Sequence, residues 1–213
     1  MKLLVTAGAT REAIDPVRYL SNVSTGETGA ALATALAEHG HHVTLLHGAG
    51  AARPSGLVTT QRFGSAADLQ LQLQALLATG DYAAVIMAAA VADYRPAAVA
   101  LEKLSSEAET LTLNLVRNAK ILPQLRGFSP RPLLVIGFKL TVGADEAARE
   151  KAVVDQFSSG TVDVVVQNDL VEMQAATEHP FRLFIGRNQA PLALAGVPAL
   201  ARALEEFIAG GAR

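Results

Sequence analysis

Short apolar runs alternate with stretches in which apolar residues recur at helical spacing, from one end of the chain to the other. The apolar runs predict strands at KLLV, HHVTLLHG, LVTTQRF, YAAVIMAAAV, LLVIGFKL and VDVVVQND. LTLNLVRN alternates apolar and polar residues and predicts a half-exposed strand, and PFRLFIGRN predicts an edge strand. Helices are predicted at residues 25–38, 66–80, 144–160 and 197–210, with a short one at ILPQLR.

Strands that alternate with helices predict an α/β fold: a Rossmann-like, doubly wound, mostly parallel sheet with helices on both faces. At 213 residues and 50% apolar content, one domain over residues 1–213 can bury its own core. Ligands of such sheets bind at the carboxyl ends of the strands. Polar residues cluster at four of these strand ends, in TAGAT, AAAVADYRP, GFKLT and QNDL. We therefore expect one binding site where these four segments meet.

The segment 6–29 joins the first strand to the first helix and is too long for an ordinary connection. Gly8, together with residues 24–26 at the helix entrance, leaves two interpretations open: a polyphosphate cradle or a plain glycine turn. Arg18 and Asn22 are four residues apart, a spacing that would put them on one face of a helical turn. An asparagine can donate and accept hydrogen bonds, which suits the tetrahedral centre of an acyl transfer.

Charge and composition exclude several classes of function. The net charge of −2 creates no global field for nucleic acid or an anionic membrane, so neither is expected as a partner. The absence of cysteine excludes disulfides, thiolate metal sites and a cysteine nucleophile. The five histidines show no zinc-ligand spacing and are expected in solvated loops and strand edges. No apolar run reaches the roughly 18 residues of a membrane span, and a cytoplasmic protein is expected.

A series of motifs runs through almost the whole chain in a fixed order: RxxxDPVRYxSNxSTGxxG, AAAVADYRP, EKLSS, LTLxLxRNxKIL, GFKLT and a late ND. With these motifs the chain resembles phosphopantothenoylcysteine synthetase, the phosphopantothenate–cysteine ligase of coenzyme A synthesis, and DPVRYxSN is the most specific of them. In many bacteria this unit is half of a bifunctional protein with a flavin-dependent decarboxylase. The sequence holds no decarboxylase half, so the resemblance is to the stand-alone form, and no flavin is expected in this domain.

The resemblance implies a reaction in two steps and a role for particular residues. A nucleoside triphosphate, CTP in the bacterial branch, activates the carboxylate of 4′-phosphopantothenate, and the amine of cysteine then attacks the acyl-nucleotidylate. Asn22 matches the asparagine that binds the acyl intermediate, Arg18 lies in the same substrate-binding segment, and Lys103 matches the lysine required for activation. The implied nucleotide-binding residues are Gly8, Thr10, Ser24, Ala88, Ala89, Asp93, Lys103, Asn118, Ala119, Phe138 and Lys139. Magnesium is implied by the triphosphate, but the sequence identifies no metal ligands.

The chain departs from the family pattern at three places. KLSS replaces K-x-K-K, Ala119 stands where proline is common, and GFKLT replaces a more acidic GFAAET-like run. Lys139 would supply positive charge that the KLSS loop has lost. The choice between CTP and ATP therefore stays open. The resemblance also implies a homodimer whose sites borrow from the partner, with LTLNLVRN as part of the interface, and a separate decarboxylase as a further partner.

Two other functions remain as alternatives. An NAD(P)-dependent oxidoreductase shares the sheet but needs a G-x-G-x-x-G fingerprint and a Tyr-x-x-x-Lys pair. Neither is present, since Tyr19, Tyr82 and Tyr94 have no lysine four residues on. A non-catalytic, nucleotide-binding or flavin-associated relative would not need Asn22 and Lys103, and a nucleotide-turnover assay separates it from an enzyme.

Overall fold

The computed structural model describes residues 1–158, 160–187 and 189–211. Ser159, in a predicted helix, and Asn188, at the end of the predicted strand PFRLFIGRN, lie outside the described residues. The strands are β1 (Lys2–Ala7), β2 (Arg11–Ala13), β3 (Tyr19–Ser21), β4 (His42–Gly48), β5 (Val58–Phe63), β6 (Ala84–Met87), β7 (Tyr94–Pro96), β8 (Leu115–Arg117), β9 (Leu134–Thr141), β10 (Val164–Asp169), β11 (Pro180–Phe184) and β12 (Leu192–Ala195). The helices are α1 (Glu27–Glu38), α2 (Ala66–Leu77), α3 (Leu125–Phe128), α4 (Glu146–Ser158), α5 (Leu170–Ala175) and α6 (Gly196–Gly211), with a 3₁₀ turn at Leu122–Gln124.

The main sheet has eight strands in the order β12-β11-β10-β9-β6-β1-β4-β5. From β10 to β5 all neighbours are parallel, and β11 and β12 add an antiparallel edge. The chain runs outwards from β1 through β4 to β5 and then returns to β6 on the other side of β1. The switch in direction therefore lies between β1 and β6, and the prediction of a doubly wound, mostly parallel sheet is confirmed.

Two apolar layers cover the two faces of the sheet. Along β1, Leu3 and Val5 pack with α1 and α6, whereas Leu4 packs with α2, α3 and α4 on the opposite face. This division follows from the strand geometry, because successive side chains point to opposite faces. Within the described residues, no helix combines the length and the apolar character needed to cross a bilayer.

The structure corrects three predictions about local elements. PFRLFIGRN does not form the sheet edge, since β11 lies between β10 and β12, and β12 is the edge strand that the sequence did not predict. In LTLNLVRN only Leu115–Arg117 is a strand, and it pairs with β7 in a separate two-stranded ribbon. The segment 6–29 is more than a loop, because β2 and β3 form a hairpin within it. These elements are defined by which strands pair with one another, and the periodicity of a single segment does not report pairing.

Helix α1 lies unusually close to β1 at Gly29, where a Cβ would be 2.6 Å from Ala7 Cβ and 3.0 Å from the Thr6 carbonyl oxygen. We expect Gly29→Ala to lower the free energy of unfolding by about 1–3 kcal/mol, because the helix must move away from the strand. The matched control is Gly127→Ala in α3, where an added Cβ meets nothing within 4 Å. Urea denaturation measures both. Equal stability of the Gly29 variant and the wild type would contradict the close approach.

Candidate functional site

The loops that follow β1 and β6 are joined to each other directly above the switch in strand direction. The Ala90 N–H donates to the Gly8 carbonyl oxygen at 2.8 Å, and the Thr10 N–H donates to the Ala90 carbonyl oxygen at 3.2 Å. Gly8 can make this turn because its φ is +77°, a left-handed conformation that side chains disfavour. The two loops thus extend the parallel pairing of their strands by one step, as an isolated bridge between Ala9 and Ala90.

Two buried threonines hold the second of these loops in place. Thr6 Oγ1 accepts from the Ala89 N–H at 3.1 Å, and Thr10 Oγ1 accepts from the Ala92 N–H at 3.0 Å. Both side chains are fully buried. The resemblance implied Thr10 as a nucleotide-binding residue. The structure places it beneath residues 88–92, the alanine loop, instead of in a cavity wall. Thr6 and Thr10 therefore shape the site from below.

A cleft of about 810 Å³ opens over this alanine loop. Its walls come from the start of α1 and from the carboxyl ends of β6, β9 and β10, so separate polar segments do meet at one edge of the sheet. The lining residues that the sequence analysis named are Asn22, Ser24, Ala88, Ala89, Asp93, Phe138 and Lys139. Gly8, Thr10, Arg18 and Lys103 do not line it.

A smaller recess of about 220 Å³ adjoins the cleft and shares Ala89, Val91, Asp93 and Phe138 with it. Asn118 and Ala119, which the resemblance implies as neighbours of the base, line this recess and not the cleft. Most of the recess wall is apolar. A small, mostly apolar recess beside a polar cleft is suited to a ring whose polar substituents point outwards.

The first turn of α1 forms one wall of the cleft. Gly26 precedes the helix with φ +74° and has no side chain to cap it, while the preceding Thr25 Oγ1 accepts from the Glu27 N–H at 3.4 Å. Thr28 and Gly29 of this first turn line the cleft, and their N–H groups, together with the positive end of the helix dipole, favour a bound anion. Lys139, at the end of β9 across the cleft, adds a positive charge. The cleft is thus suited to phosphate groups.

Asn22 lies on the cleft wall directly after β3. Its Nδ2 donates to the Val91 carbonyl oxygen at 3.3 Å, and the neighbouring Ser21 Oγ donates to the Thr10 carbonyl oxygen at 2.8 Å. The interpretation of Arg18 and Asn22 as one face of a helical turn is wrong, because Tyr19–Ser21 is a strand. Asn22 is instead held against the alanine loop, with its amide at the cleft surface.

At the rim of the cleft, two polar side chains are engaged in the protein. Asp93 forms an ion pair with Lys120, and both side chains are exposed. Asn118 Nδ2 donates to the Ala92 carbonyl oxygen at 2.9 Å, and its Oδ1 accepts from Arg95 at 3.1 Å. The Asn118 side chain therefore fixes the recess wall.

His179, which was not predicted as a site residue, lines the cleft beside Asn168. The His179 ring stacks on Phe181 with centroids 4.0 Å apart, and its Nε2 is 2.9 Å from Asn168 Nδ2. Burial lowers the pKa of His179. The expectation of solvated histidines is therefore wrong for His179, which is half-buried, and for His47, which is buried 2.7 Å from Arg53 Nη1. The one sequence signal that could have placed His179 in the cleft is its position shortly after QNDL.

Asp169, in the late ND motif, stabilises the turn after β9. Its carboxylate accepts from Thr141 Oγ1 at 2.6 Å and from the N–H groups of Gly143, Ala144 and Val171. The Thr141 hydroxyl makes the largest contribution to a pKa far below the usual range of a carboxyl, against the opposing effect of burial. No cluster of three or more histidine or carboxylate side chains fit to hold a metal occurs in the described part of the chain.

Comparison with known proteins identifies the relatives of this chain. The family model described as DNA/pantothenate metabolism flavoprotein C-terminal domain matches residues 1–208. The coenzyme A biosynthesis bifunctional protein CoaBC of Vibrio cholerae is 33% identical over 216 residues, covering 97% of this chain and 52% of that protein. The chain spans about half the length, or less, of the curated relatives it matches.

Two solved structures have the same fold. The crystal structure of the DNA/pantothenate metabolism flavoprotein from Streptococcus pneumoniae has a TM-score of 0.87 and 28% identity, and 99% of each chain is covered. A Cab2 mutant in complex with phosphopantothenate-cysteine has a TM-score of 0.81 at 15% identity, covering 99% of this chain and 88% of that one. At this identity the Cab2 likeness shows the fold alone.

Proposed function

Because the chain belongs to the DNA/pantothenate metabolism flavoprotein C-terminal domain family, we propose that it is a phosphopantothenate–cysteine ligase of coenzyme A synthesis, acting as a single domain over residues 1–213. The observation that carries this proposal is the cleft itself. It combines the start of helix α1, Asn22 on the wall and an adjoining, mostly apolar recess, so one site can hold a triphosphate, an acyl group and a base.

In the first step a carboxylate oxygen of 4′-phosphopantothenate attacks the α-phosphorus of a nucleoside triphosphate, and pyrophosphate leaves. The triphosphate would bind at the start of α1 near Lys139, and the base would enter the recess beside Asn118, Ala119 and Phe138. CTP is the proposed nucleotide, with ATP as the alternative, and Mg²⁺ enters with the triphosphate as part of the substrate. No flavin takes part.

In the second step the amine of cysteine attacks the acyl carbon, the nucleoside monophosphate leaves, and the amine loses a proton. The Asn22 amide is the proposed donor to the oxyanion that develops on the acyl group, since it lies at the cleft surface. The oxidoreductase alternative is disfavoured by the hairpin β2–β3, which separates β1 from α1 where a dinucleotide fingerprint needs a tight turn.

A homodimer is part of the proposal. The ribbon β7–β8 and the chain leading into it expose several large apolar side chains, which is typical of an interaction surface; they are Tyr94, Leu111, Leu113, Leu115 and Val116.

Lys103 does not line the cleft of its own chain, so it would act after a loop movement or in the cleft of the partner. A separate decarboxylase is proposed as a further partner, and the proposed location is the cytoplasm.

Pyrophosphate release with CTP or ATP, each with and without phosphopantothenate and cysteine, tests the function. We expect release that requires phosphopantothenate, a ligated product by mass only when cysteine is added, and at least about tenfold higher kcat/KM for CTP, equivalent to 1.4 kcal/mol. Equal efficiency with both nucleotides would contradict base selection by the recess. Absence of turnover with either would contradict the ligase and favour the non-catalytic alternative.

A further inference from the structure

Two segments that are distant in sequence, residues 14–18 and 100–104, are bound to each other by a buried carboxylate. Asp15 Oδ1 accepts from the N–H groups of Val17 at 2.9 Å and Arg18 at 2.8 Å, which closes a local turn. Its side chain is fully buried. A carboxylate within a single turn would usually face solvent, so this burial indicates a second set of partners.

The second oxygen of Asp15 reaches across to the other segment. Oδ2 accepts from the Leu104 N–H at 3.1 Å and lies 3.4 Å from Arg18 Nη1. Arg18 Nη2 in turn donates to the Leu104 carbonyl oxygen at 3.1 Å. Asp15 and Arg18 together therefore bind both backbone polar groups of Leu104.

The chain is also fixed a few residues earlier, where the Ala100 N–H donates to the Ile14 carbonyl oxygen at 3.0 Å. Lys103 lies between these two attachments, and its own side chain is exposed. The backbone on either side of Lys103 is thus held, while the ammonium group can reach a ligand.

The charge on Asp15 suits this arrangement. Burial opposes its ionisation, but N–H donors from Val17, Leu104 and Arg18, together with the Arg18 guanidinium, hold the pKa of the carboxyl below its ordinary value. A carboxylate only accepts hydrogen bonds, and its partners here are all donors. An amide in place of the carboxylate would direct its NH₂ group, which is itself a donor, at some of these N–H donors.

We propose that Asp15 is a positioning residue of the ligase: with Arg18 it clamps Leu104 and so holds the loop that presents Lys103. This inference rests on the proposed function for the role of Lys103, while the clamp itself is testable without any turnover. In this proposal Arg18 is not a residue of the cleft wall. Its guanidinium binds the backbone carbonyl of Leu104, next to Lys103.

The test that needs no activity is limited trypsin digestion at the Lys103–Leu104 bond. We expect Asp15→Asn to speed cleavage by about tenfold or more, because loss of charge-assisted hydrogen bonds opens the loop. Arg18→Gln, which leaves the Asp15 turn in place, should act in the same direction. The matched control is Asp163→Asn, whose carboxylate also binds a backbone N–H, of Val135, and an arginine, but far from this loop. Unchanged cleavage in both clamp variants would overturn the proposal.

Pyrophosphate release then tests the positioning role. We expect Asp15→Asn to lower kcat by about 10²-fold with little change in KM for the nucleotide, since a displacement of about 1 Å has this effect on a reacting group. If Asp15 acts through Lys103, the double variant with Lys103→Ala should be no slower than Lys103→Ala alone. Additive losses would show that Asp15 does not act through Lys103. A wild-type enzyme without turnover would refute the ligase function but leave the trypsin result as a test of the clamp.

Discussion

Lys103→Ala is expected to lower the rate of pyrophosphate release by at least about 10²-fold while the protein stays folded. During activation, negative charge builds up on the α-phosphate and the departing pyrophosphate, and a fixed ammonium group stabilises it. Because the Lys103 side chain is exposed, its loss should change the free energy of unfolding by no more than about 0.5 kcal/mol. Single-turnover release of pyrophosphate from CTP measures the effect.

A lysine on another part of the sheet provides the control for this variant. Lys2 forms an exposed ion pair with Asp81 at 3.2 Å, at the opposite end of the strands from the cleft. Lys2→Ala removes the same charge and should release pyrophosphate at the wild-type rate. Release at a near wild-type rate in the Lys103 variant would exclude this residue from the activation step.

Asn22→Asp should separate the two half-reactions: pyrophosphate appears, but capture of the acyl group by cysteine slows by about 10²–10³-fold. Aspartate is nearly the same size but only accepts hydrogen bonds when ionised, so it repels the developing oxyanion. It also loses the donor that binds the Val91 carbonyl oxygen. The acyl-nucleotidylate should accumulate and be detected by mass spectrometry after an acid quench.

The control for Asn22→Asp is Gln74→Glu on the exposed face of α2, which makes the same change from amide to carboxylate away from the cleft. It should form ligated product at the wild-type rate. The role assigned to Asn22 would be wrong if the Asn22 variant did the same. It would also be wrong if the variant failed before any pyrophosphate appeared, because the defect would then precede the acyl intermediate.

The Lys103 and Asn22 variants together also distinguish two explanations for the position of Lys103. If Lys103 completes the cleft of the partner subunit, mixing the Lys103→Ala and Asn22→Asp proteins should restore part of the formation of ligated product. One of the two clefts in a mixed dimer would then contain both Asn22, from one chain, and Lys103, from the other. If Lys103 serves its own chain after a loop movement, each site carries one defect and no activity returns. Mixed dimers form only when subunits dissociate and reassociate, so the recovered activity should depend on protein concentration.

The sequence by itself determined the sheet and the segments that meet at its edge. A continuous apolar run such as VDVVVQND predicts a strand covered on both faces, and β10 is buried along its whole length. Since the strands are parallel, their carboxyl ends lie at one edge, and polar residues that follow them in sequence must be neighbours. Asn22, Asp93 and Lys139 could therefore be expected in one cleft without any structure.

Only the tertiary structure decided what each of these side chains does there. Thr10 was a candidate for nucleotide binding, but its hydroxyl holds the backbone of Ala92, more than eighty residues away in the chain. His179 reaches the cleft only because β10 and β11 pair antiparallel and place it beside Asn168. Lys103 does not line the cleft of its own chain, and the adjacent Leu104 N–H is bound by Asp15, nearly ninety residues away in the chain. Such contacts are set by partners far apart in sequence, whereas periodicity and local motifs report only on the residues next to each other.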